Sequence, residues 1–154
     1  MLNYVNGNLI DMAFEGKFDY IIHGCNCFCT MESGIAKEIK ERIPDAWQED
    51  QWTEKGDRSK LGTYTMVNVP THGFYVINAY TQYNYGRDKN VVYFNYEALY
   101  RILTDIRFIT IPEERIGLPM IGAGLAKGHW PTIELIIKDR LKNRNVTVVI
   151  FDKE

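Results

Sequence analysis

Short apolar runs of strand length alternate with helix-type apolar spacings along this chain, and that alternation most constrains its fold. The run Asp19–His23 is typical of a strand that is buried on both faces. After it, Ile35, Ile39 and Ile43 recur at i, i+4 and i+8, which is the spacing of one helix face. Because alternating strands and helices pack as a sheet covered by helices, the pattern predicts an α/β protein.

The same signals predict six strands and four helices. The strands cover 2–5, 19–23, 63–69, 74–80, 116–121 and 146–151, with a turn at 70–73 that joins two of them as a hairpin. The helices begin at Ser33, at Asp45, after Asn95 and at Pro131, and Pro44 ends the first of them. We therefore predict a three-layer α/β/α sandwich with a mixed central sheet, built as one domain over residues 1–154.

Charge and apolar patterning exclude several classes of protein. The 154 residues carry a net charge of −2, whereas nucleic-acid binding depends on clustered basic side chains. No apolar run approaches the roughly 20 residues of a membrane span. Because Met1–Val5 passes straight into a strand-like pattern, we expect no signal peptide. We expect no nucleic-acid or membrane partner, and the lack of a heptad pattern favours a monomer. The three cysteines are too crowded for a disulfide framework across the fold, which indicates a reducing, cytoplasmic compartment.

Two segments that follow predicted strands have features suited to a phosphate. His23–Asn26 ends a strand and leads to Ser33, the start of a helix whose first amides favour an anion. Ile121–Gly128 (IGAGLAKG) lies between a strand and a helix, and its glycines allow close approach of a phosphate to the backbone. Ligands of open α/β sheets bind beyond the carboxyl ends of strands. Each segment alone is equally compatible with an ordinary loop.

The glycine-rich segment differs from two well-known phosphate motifs. A Walker A loop ends in Gly-Lys-Ser/Thr, whereas here Lys127 precedes Gly128 and His129. A dinucleotide fingerprint requires glycine where Lys127 stands, and only one further strand follows. Neither a P-loop nor a Rossmann unit is therefore predicted.

Cys25, Cys27 and Cys29 crowd into five positions. A zinc site usually needs a second pair of ligands at a distance, which this chain lacks. A thiol hydrolase needs a base placed opposite the thiol, whereas His23 lies on the same loop. Small buried cysteines are the favoured interpretation, thiol catalysis is the weaker alternative, and we expect no metal and no cofactor.

Several segments together resemble a macro domain. They are Tyr4–Leu9 (YVNGNL), like the opening strand and loop; Ile22–Asn26 (IHGCN) with Gly34–Ala36, like the elements that hold the distal ribose of ADP-ribose; Leu118–Leu125 (LPMIGAGL), like the diphosphate loop; and Val76–Gln82 and Val148–Phe151. The resemblance spans the chain and is nearest to the small single-domain branch. That branch includes ADP-ribose-1″-phosphate phosphatases and hydrolases that remove ADP-ribose from acidic side chains.

The resemblance implies ADP-ribose as the ligand. Asn26 would hydrogen-bond the distal ribose, and the Phe151 ring would stack on adenine, unless it is buried in the core. The substrate-binding residues so implied are Asn8, Leu9, Ile10, His23, Asn26, Met31, Ser33, Gly34, Ile35, Thr81, Met120, Ile121, Gly122, Ala123, Gly124, Leu125, Ala126 and Phe151.

The His-x-Cys-Asn loop is most similar to that of the phosphatases, so we predict hydrolysis of ADP-ribose-1″-phosphate with His23 and Asn26 as catalytic residues. Histidine is suited to acid–base work near neutral pH. The related hydrolases use an acid where Ala126 stands and a lysine on the strand that matches Phe74–Tyr80, which has none. The alternatives are a non-catalytic reader of ADP-ribose or of ADP-ribosylated proteins, and a hydrolase that removes ADP-ribose from modified proteins.

Overall fold

A computed structural model describes residues 2–151. Among these residues the strands are β1 (Leu2–Gly7), β2 (Tyr20–Cys25), β3 (Tyr64–Val69), β4 (Phe74–Tyr80), β5 (Arg115–Leu118) and β6 (Asn145–Phe151). The helices are α1 (Leu9–Phe14), α2 (Gly34–Arg42), α3 (Pro44–Gln51), α4 (Tyr96–Ile109) and α5 (Trp130–Arg140), with one 3-10 turn at Arg58–Lys60.

The strands form one mixed sheet in the order β1-β6-β5-β2-β4-β3. Neighbouring strands are parallel except β3, which pairs with β4 in antiparallel fashion as the predicted hairpin. From β2 the chain proceeds to β3 and β4 on one side, and from β5 it proceeds to β6 on the other. The boundary between β2 and β5 is therefore a topological switch point, where α/β sheets open a crevice for ligands.

Two apolar clusters hold helices against opposite faces of the sheet. One contains the stripe Leu99, Ile102, Leu103 and Ile106 of α4, together with Ile133 of α5. The other contains buried residues of α1, α2 and α3. Full burial of each large aliphatic side chain contributes about 1.5–3 kcal/mol, so the α4 stripe alone anchors that layer. The three-layer sandwich predicted from the sequence is confirmed.

Several elements begin or end one or two residues from their predicted bounds, and three further differences have a clear local cause. No element was predicted where α1 lies. This helix has only six residues, too few to show a periodicity, and its cap is the Asn8 side chain, which accepts from the Asp11 amide at 2.9 Å. The second predicted helix begins at Pro44, which can occupy a first helical turn because it has no amide hydrogen to satisfy there.

The third difference lies after β5. This strand ends at Leu118 instead of Ile121, because the Ile121 amide donates to the Pro119 carbonyl at 2.7 Å and turns the chain away from the sheet. The turn moves Met120 and Ile121 out of the strand and into the glycine-rich loop. No helix among residues 2–151 is long and apolar enough to cross a membrane.

Candidate functional site

A cleft of about 880 Å³ lies at the carboxyl ends of the parallel strands. Gly7, Cys25 and Phe151, the last residues of β1, β2 and β6, line it together with Thr81, which follows β4. The loop after β5 completes its wall. The volume is in the range of small-molecule sites. The cleft thus includes the switch point between β2 and β5.

The cleft brings together all the site residues predicted from the sequence except His23 and Met31. Met31 is 1% exposed and belongs to the apolar cluster beneath α1, α2 and α3. Its side chain therefore packs in the core and does not line the cleft.

His23 also lies away from the cleft, inside the sheet. It pairs with Asn78 in the register of β2 and β4, is 1% exposed, and has its Nε2 2.6 Å from the Asn78 Oδ1. The Asn78 amide nitrogen donates to the Ala46 carbonyl and the Thr65 hydroxyl, each at 3.0 Å, so the Asn78 oxygen must accept from His23. His23 is therefore a neutral imidazole that carries its proton on Nε2.

Burial lowers the pKa of His23 to about 4, and the Asn78 hydrogen bond opposes this shift only in part. A general acid–base group near neutral pH needs a pKa close to 7 and contact with the substrate. His23 is buried and does not line the cleft, and its pKa lies well below that range, so the geometry does not support the predicted catalytic role. The imidazole instead links β2 to β4.

The glycine-rich loop presents unused backbone amides to the cleft. Gly122 has φ +76° and its carbonyl accepts from the Gly128 amide at 2.7 Å, which closes the loop. Within residues 2–151, the amides of Gly124 and Leu125 donate no hydrogen bond, and both residues line the cleft. Exposed amides in such a loop form a concave anion site.

The first turn of α2 faces the same cleft. Ser33 occupies the N-cap position, but its side chain makes no capping hydrogen bond, contrary to the usual role of a serine there. Ser33, Gly34 and Ile35 all line the cleft. Free first-turn amides and the positive end of the helix dipole attract an anion. The helix and the glycine loop therefore offer two donor surfaces for phosphate groups.

The loop between β2 and α2 is fixed by Asn26. Its amide nitrogen donates to the Thr30 hydroxyl at 2.7 Å and to the Thr30 carbonyl at 3.2 Å, and its Oδ1 accepts from the Phe28 amide at 2.8 Å. An amide oxygen has two lone pairs, so Oδ1 retains one acceptor position. Because Asn26 lines the cleft, this oxygen is a candidate acceptor for a ligand hydroxyl.

Thr81 contributes an unpartnered hydroxyl to the cleft. The residue is 1% exposed, and within residues 2–151 its Oγ1 has no hydrogen-bond partner. A Cβ at Gly24 would lie 2.9 Å from this oxygen, so the glycine leaves the space above it open. Buried polar atoms normally have a partner, which makes the Thr81 hydroxyl a site for a ligand atom or a bound water.

The cysteines have little catalytic character. Cys25 and Cys27 are buried, and burial raises the pKa of both thiols. Since the thiolate is the nucleophile, these groups are inert at neutral pH. Within residues 2–151 no group of histidine, cysteine and acidic side chains could hold a metal ion.

Phe151 lines the cleft with 60% of its surface exposed. The alternative of a core position is therefore wrong, whereas stacking on adenine stays a prediction. Leu9 and Ile10 of α1 lie along the same end of the cleft as β1 and β6, and form an apolar wall there.

Sequence reasoning missed several polar residues that line the cleft, among them Glu32, Glu38, Gln82, Tyr85 and Arg87. Gln82 directly follows Thr81 after a predicted strand, so its position was a usable signal. Arg87 lies in an irregular segment without periodicity, where the sequence offered none.

No protein-family model matches the sequence. An uncharacterized 17.5 kDa protein from the tk–vs intergenic region of phage T4 is 34% identical, over 99% of this chain and 97% of its own. A protein of unknown function from Bacteroides thetaiotaomicron is 27% identical, with a TM-score of 0.82 over 97% of this chain and 98% of its own.

Two more distant structures identify the fold. The macrodomain of Thermus aquaticus DarG is 21% identical, with a TM-score of 0.73 over 99% of both chains. Thermosipho africanus DarTG in complex with ADP-ribose is 16% identical, with a TM-score of 0.75 over 97% of this chain and 41% of its own. The chain therefore has the macro domain fold, and it belongs to the family of the 17.5 kDa protein of phage T4.

Proposed function

We propose that the chain binds ADP-ribose in this cleft and hydrolyses ADP-ribose-1″-phosphate to ADP-ribose and phosphate. The observation that carries the proposal is that the glycine loop and the first turn of α2 present free amides to one cleft at the switch point of the sheet. The DarTG protein of the same fold, which was solved in complex with ADP-ribose, supports the choice of ligand.

The cleft gives each part of this ligand a chemically suitable surface. The adenine base would lie between Phe151 and the apolar wall of Ile10. The diphosphate would accept from the amides of Gly124 and of the first turn of α2. The distal ribose would then donate to the free lone pair of the Asn26 oxygen.

Hydrolysis in this cleft would not depend on a strong base. A water oxygen attacks phosphorus, the bond between phosphorus and the ribose oxygen breaks, and the ribose oxygen takes up the proton that the attacking water loses. Phosphoryl transfer passes through a loose transition state, so it depends mainly on positioning and on neutralisation of charge. Backbone amides supply both without a change in protonation. In this scheme Asn26 fixes the ribose, and His23 takes no part.

A non-catalytic reader of ADP-ribose is the second candidate. It is favoured by the fact that the described residues lining the cleft include no histidine and no lysine. The lack of a lysine in this lining, together with Ala126 in place of an acid, argues against a hydrolase that removes ADP-ribose from modified proteins.

The test combines calorimetry with a phosphate-release assay. Gly124 has open space around its Cα, so a side chain there projects without a clash. Gly124→Asp places a carboxylate beside the diphosphate, and like charges in contact cost several kcal/mol. We expect ADP-ribose affinity to fall on the order of 100-fold in this variant, and the matched Gly124→Ala to stay within about threefold of wild type.

The assay has three informative results. Release of phosphate that ADP-ribose inhibits competitively supports the phosphatase. Binding of ADP-ribose without any release supports the reader. A wild-type protein that binds neither compound contradicts the proposed function altogether.

A further inference from the structure

Among the described residues that line the cleft, the acidic side chains outnumber the basic ones and already have hydrogen-bond or ion-pair partners. Among the described residues that line it, Glu32 and Glu38 are acidic and Arg87 alone is basic. Glu32 is 3.3 Å from the amine of Lys40, and Glu38 accepts from Asn8 and from Arg42. Both acids are thus already satisfied.

Arg87 is exposed, and its guanidinium makes no hydrogen bond or ion pair with any other residue in the described range. Its five N–H groups are therefore available to a ligand. A planar guanidinium binds a phosphate through two parallel hydrogen bonds, a geometry that a backbone amide pair cannot easily copy.

The segment that carries Arg87, residues 83–93, is held between the two walls of the cleft. On one side Tyr83 and Tyr85 contact the ring of Phe28, which lies in the loop fixed by Asn26. On the other side the amides of Tyr93 and Phe94 donate to the Ala126 carbonyl of the glycine loop, at 2.9 and 3.0 Å.

The backbone around Arg87 is also fixed locally. The Tyr93 hydroxyl lies close to Gly86, since a Cβ added to this glycine would be 2.4 Å from the hydroxyl oxygen. The same hydroxyl accepts from the Asp88 amide at 3.3 Å. The residues on both sides of Arg87 thus contact one tyrosine. This arrangement keeps the start of the Arg87 side chain at the cleft.

Arg87 follows β4, whereas Phe151 ends β6 on the other side of the switch point between β2 and β5. The cleft crosses the carboxyl ends of the strands from β1 and β6, where Gly7 and Phe151 lie, to β4, where the segment with Arg87 begins. Neighbouring strands lie about 4.8 Å apart, so β6, which ends in Phe151, is separated from β4 by roughly 14 Å along the sheet. A ligand with adenine at Phe151 that crosses the switch point therefore extends toward the β4 side of the cleft, where the segment that carries Arg87 begins.

We propose that Arg87 binds the phosphate monoester on the distal ribose and so makes the site prefer ADP-ribose-1″-phosphate over ADP-ribose. The inference rests on the proposed function, because it assumes that ADP-ribose occupies the cleft with its base at Phe151. The amides of Gly124 and α2 serve the diphosphate in the middle of the cleft, and the additional phosphate at the far end meets the unpaired guanidinium.

The test is displacement of a fluorescent ADP-ribose derivative, with ADP-ribose or its 1″-phosphate as competitor, in wild type and in Arg87→Gln. Readings taken before turnover give affinities whether or not the protein is a phosphatase. We expect Arg87→Gln to weaken binding of the 1″-phosphate about 10- to 100-fold, the range of a charge-assisted hydrogen-bond pair, and to leave ADP-ribose within about twofold. Arg87→Lys keeps the charge without the planar fork, so it should lose part of the preference.

Lys89→Gln is the matched control, because Lys89 is an exposed cation of the same segment that does not line the cleft. It should change neither affinity. Equal weakening of both ligands in Arg87→Gln would mean that Arg87 binds the diphosphate and would overturn the inference, as would unchanged binding of both. If wild type does not bind the fluorescent ADP-ribose at all, the proposed function itself fails and this inference with it.

Discussion

At the scale of single residues, exposure separates the residues of the cleft from those of the core. The Phe151 ring is 60% exposed at the end of β6, whereas Val148 and Val149, earlier in the same strand, are buried. An exposed ring at the edge of a cleft contributes little to stability but offers a flat apolar surface to a planar ligand. This makes Phe151 suitable for a test of the adenine position.

Phe151→Ala should weaken ADP-ribose binding by about 1–3 kcal/mol, the range for loss of a base–aromatic stack. The melting temperature should hardly change, because the ring is not in the core. Calorimetry and thermal unfolding on the same sample measure both quantities.

Two controls accompany this variant. Ribose-5-phosphate has no base, so its binding should be insensitive to the change. Phe108→Ala removes a ring that is 89% exposed on α4 and does not line the cleft, so ADP-ribose affinity should be unchanged. Wild-type affinity in a folded Phe151→Ala protein would contradict adenine stacking.

At the scale of elements, the glycine-rich loop depends on one aromatic ring for its shape. Phe94 is buried and packs directly against Gly122, where an added Cβ would lie 2.3 Å from the ring. Gly122 also has φ +76°, which side-chain-bearing residues rarely adopt. The sequence showed the glycines of this loop but not the ring that requires one of them.

We therefore expect Gly122→Ala to lower the free energy of unfolding by about 1–3 kcal/mol, through overpacking and backbone strain. Gly124→Ala is the matched control: its added Cβ meets no atom within 4 Å, so the change should stay within about 0.5 kcal/mol. Denaturant unfolding curves of the two variants measure the difference.

A second substitution separates the two causes. Phe94→Leu in the Gly122→Ala background removes the close ring but not the positive φ. It should therefore relieve only the steric part of the loss in unfolding free energy. If Gly122→Ala and Gly124→Ala are equally stable, the contact with Phe94 does not constrain the loop.

At the scale of the whole molecule, a buried polar network connects the middle of the sheet to a helix. His23 on β2 donates to Asn78 on β4, which in turn donates to Ala46 on α3 and to Thr65 on β3. Because the imidazole is neutral and buried, its protonation would place an uncompensated charge in the core. The stability of the whole fold is thereby linked to pH.

The pKa of His23 is about 4 in the folded protein, below the ordinary value of about 6.5 expected for the unfolded chain. Between these values the unfolded state binds more protons, so the free energy of unfolding should fall as the pH falls from about 6.5 to 4. The slope from this one group is at most about 1.4 kcal/mol per pH unit. Denaturant unfolding at several pH values measures it.

His23→Gln keeps an amide donor for Asn78 but cannot titrate, so its stability should depend less on pH over this range. His72→Gln is the control, because His72 is exposed on the turn between β3 and β4, and it should keep the wild-type slope. The comparison separates the effect of His23 from that of Asp50. Burial raises the pKa of Asp50, so its contribution to the free energy of unfolding changes with pH in the opposite direction. Identical slopes in wild type and His23→Gln would contradict the linkage.

The sequence by itself predicted the layers of the fold and most positions of the cleft. Strand β4 lies at its predicted bounds, and Asn95 caps α4 as expected, with its side chain accepting from the Ala98 amide at 2.8 Å. Such features depend on local periodicity and on capping chemistry, which neighbouring residues determine. The position of the glycine-rich loop at Gly122–Leu125, between β5 and α5, was also predictable, because the carboxyl ends of parallel strands meet at one edge of the sheet.

Only the tertiary structure decided which polar side chains face the ligand. His23 and Asn26 are three residues apart in sequence, yet the pairing of β2 with β4 buries His23 against Asn78, whereas Asn26 lies past the strand end and lines the cleft. Arg87 reaches the cleft because Phe28 and Ala126, distant in the chain, hold its segment between them. The physical reason is that burial and pairing depend on contacts between residues far apart in sequence, which local spacing does not contain.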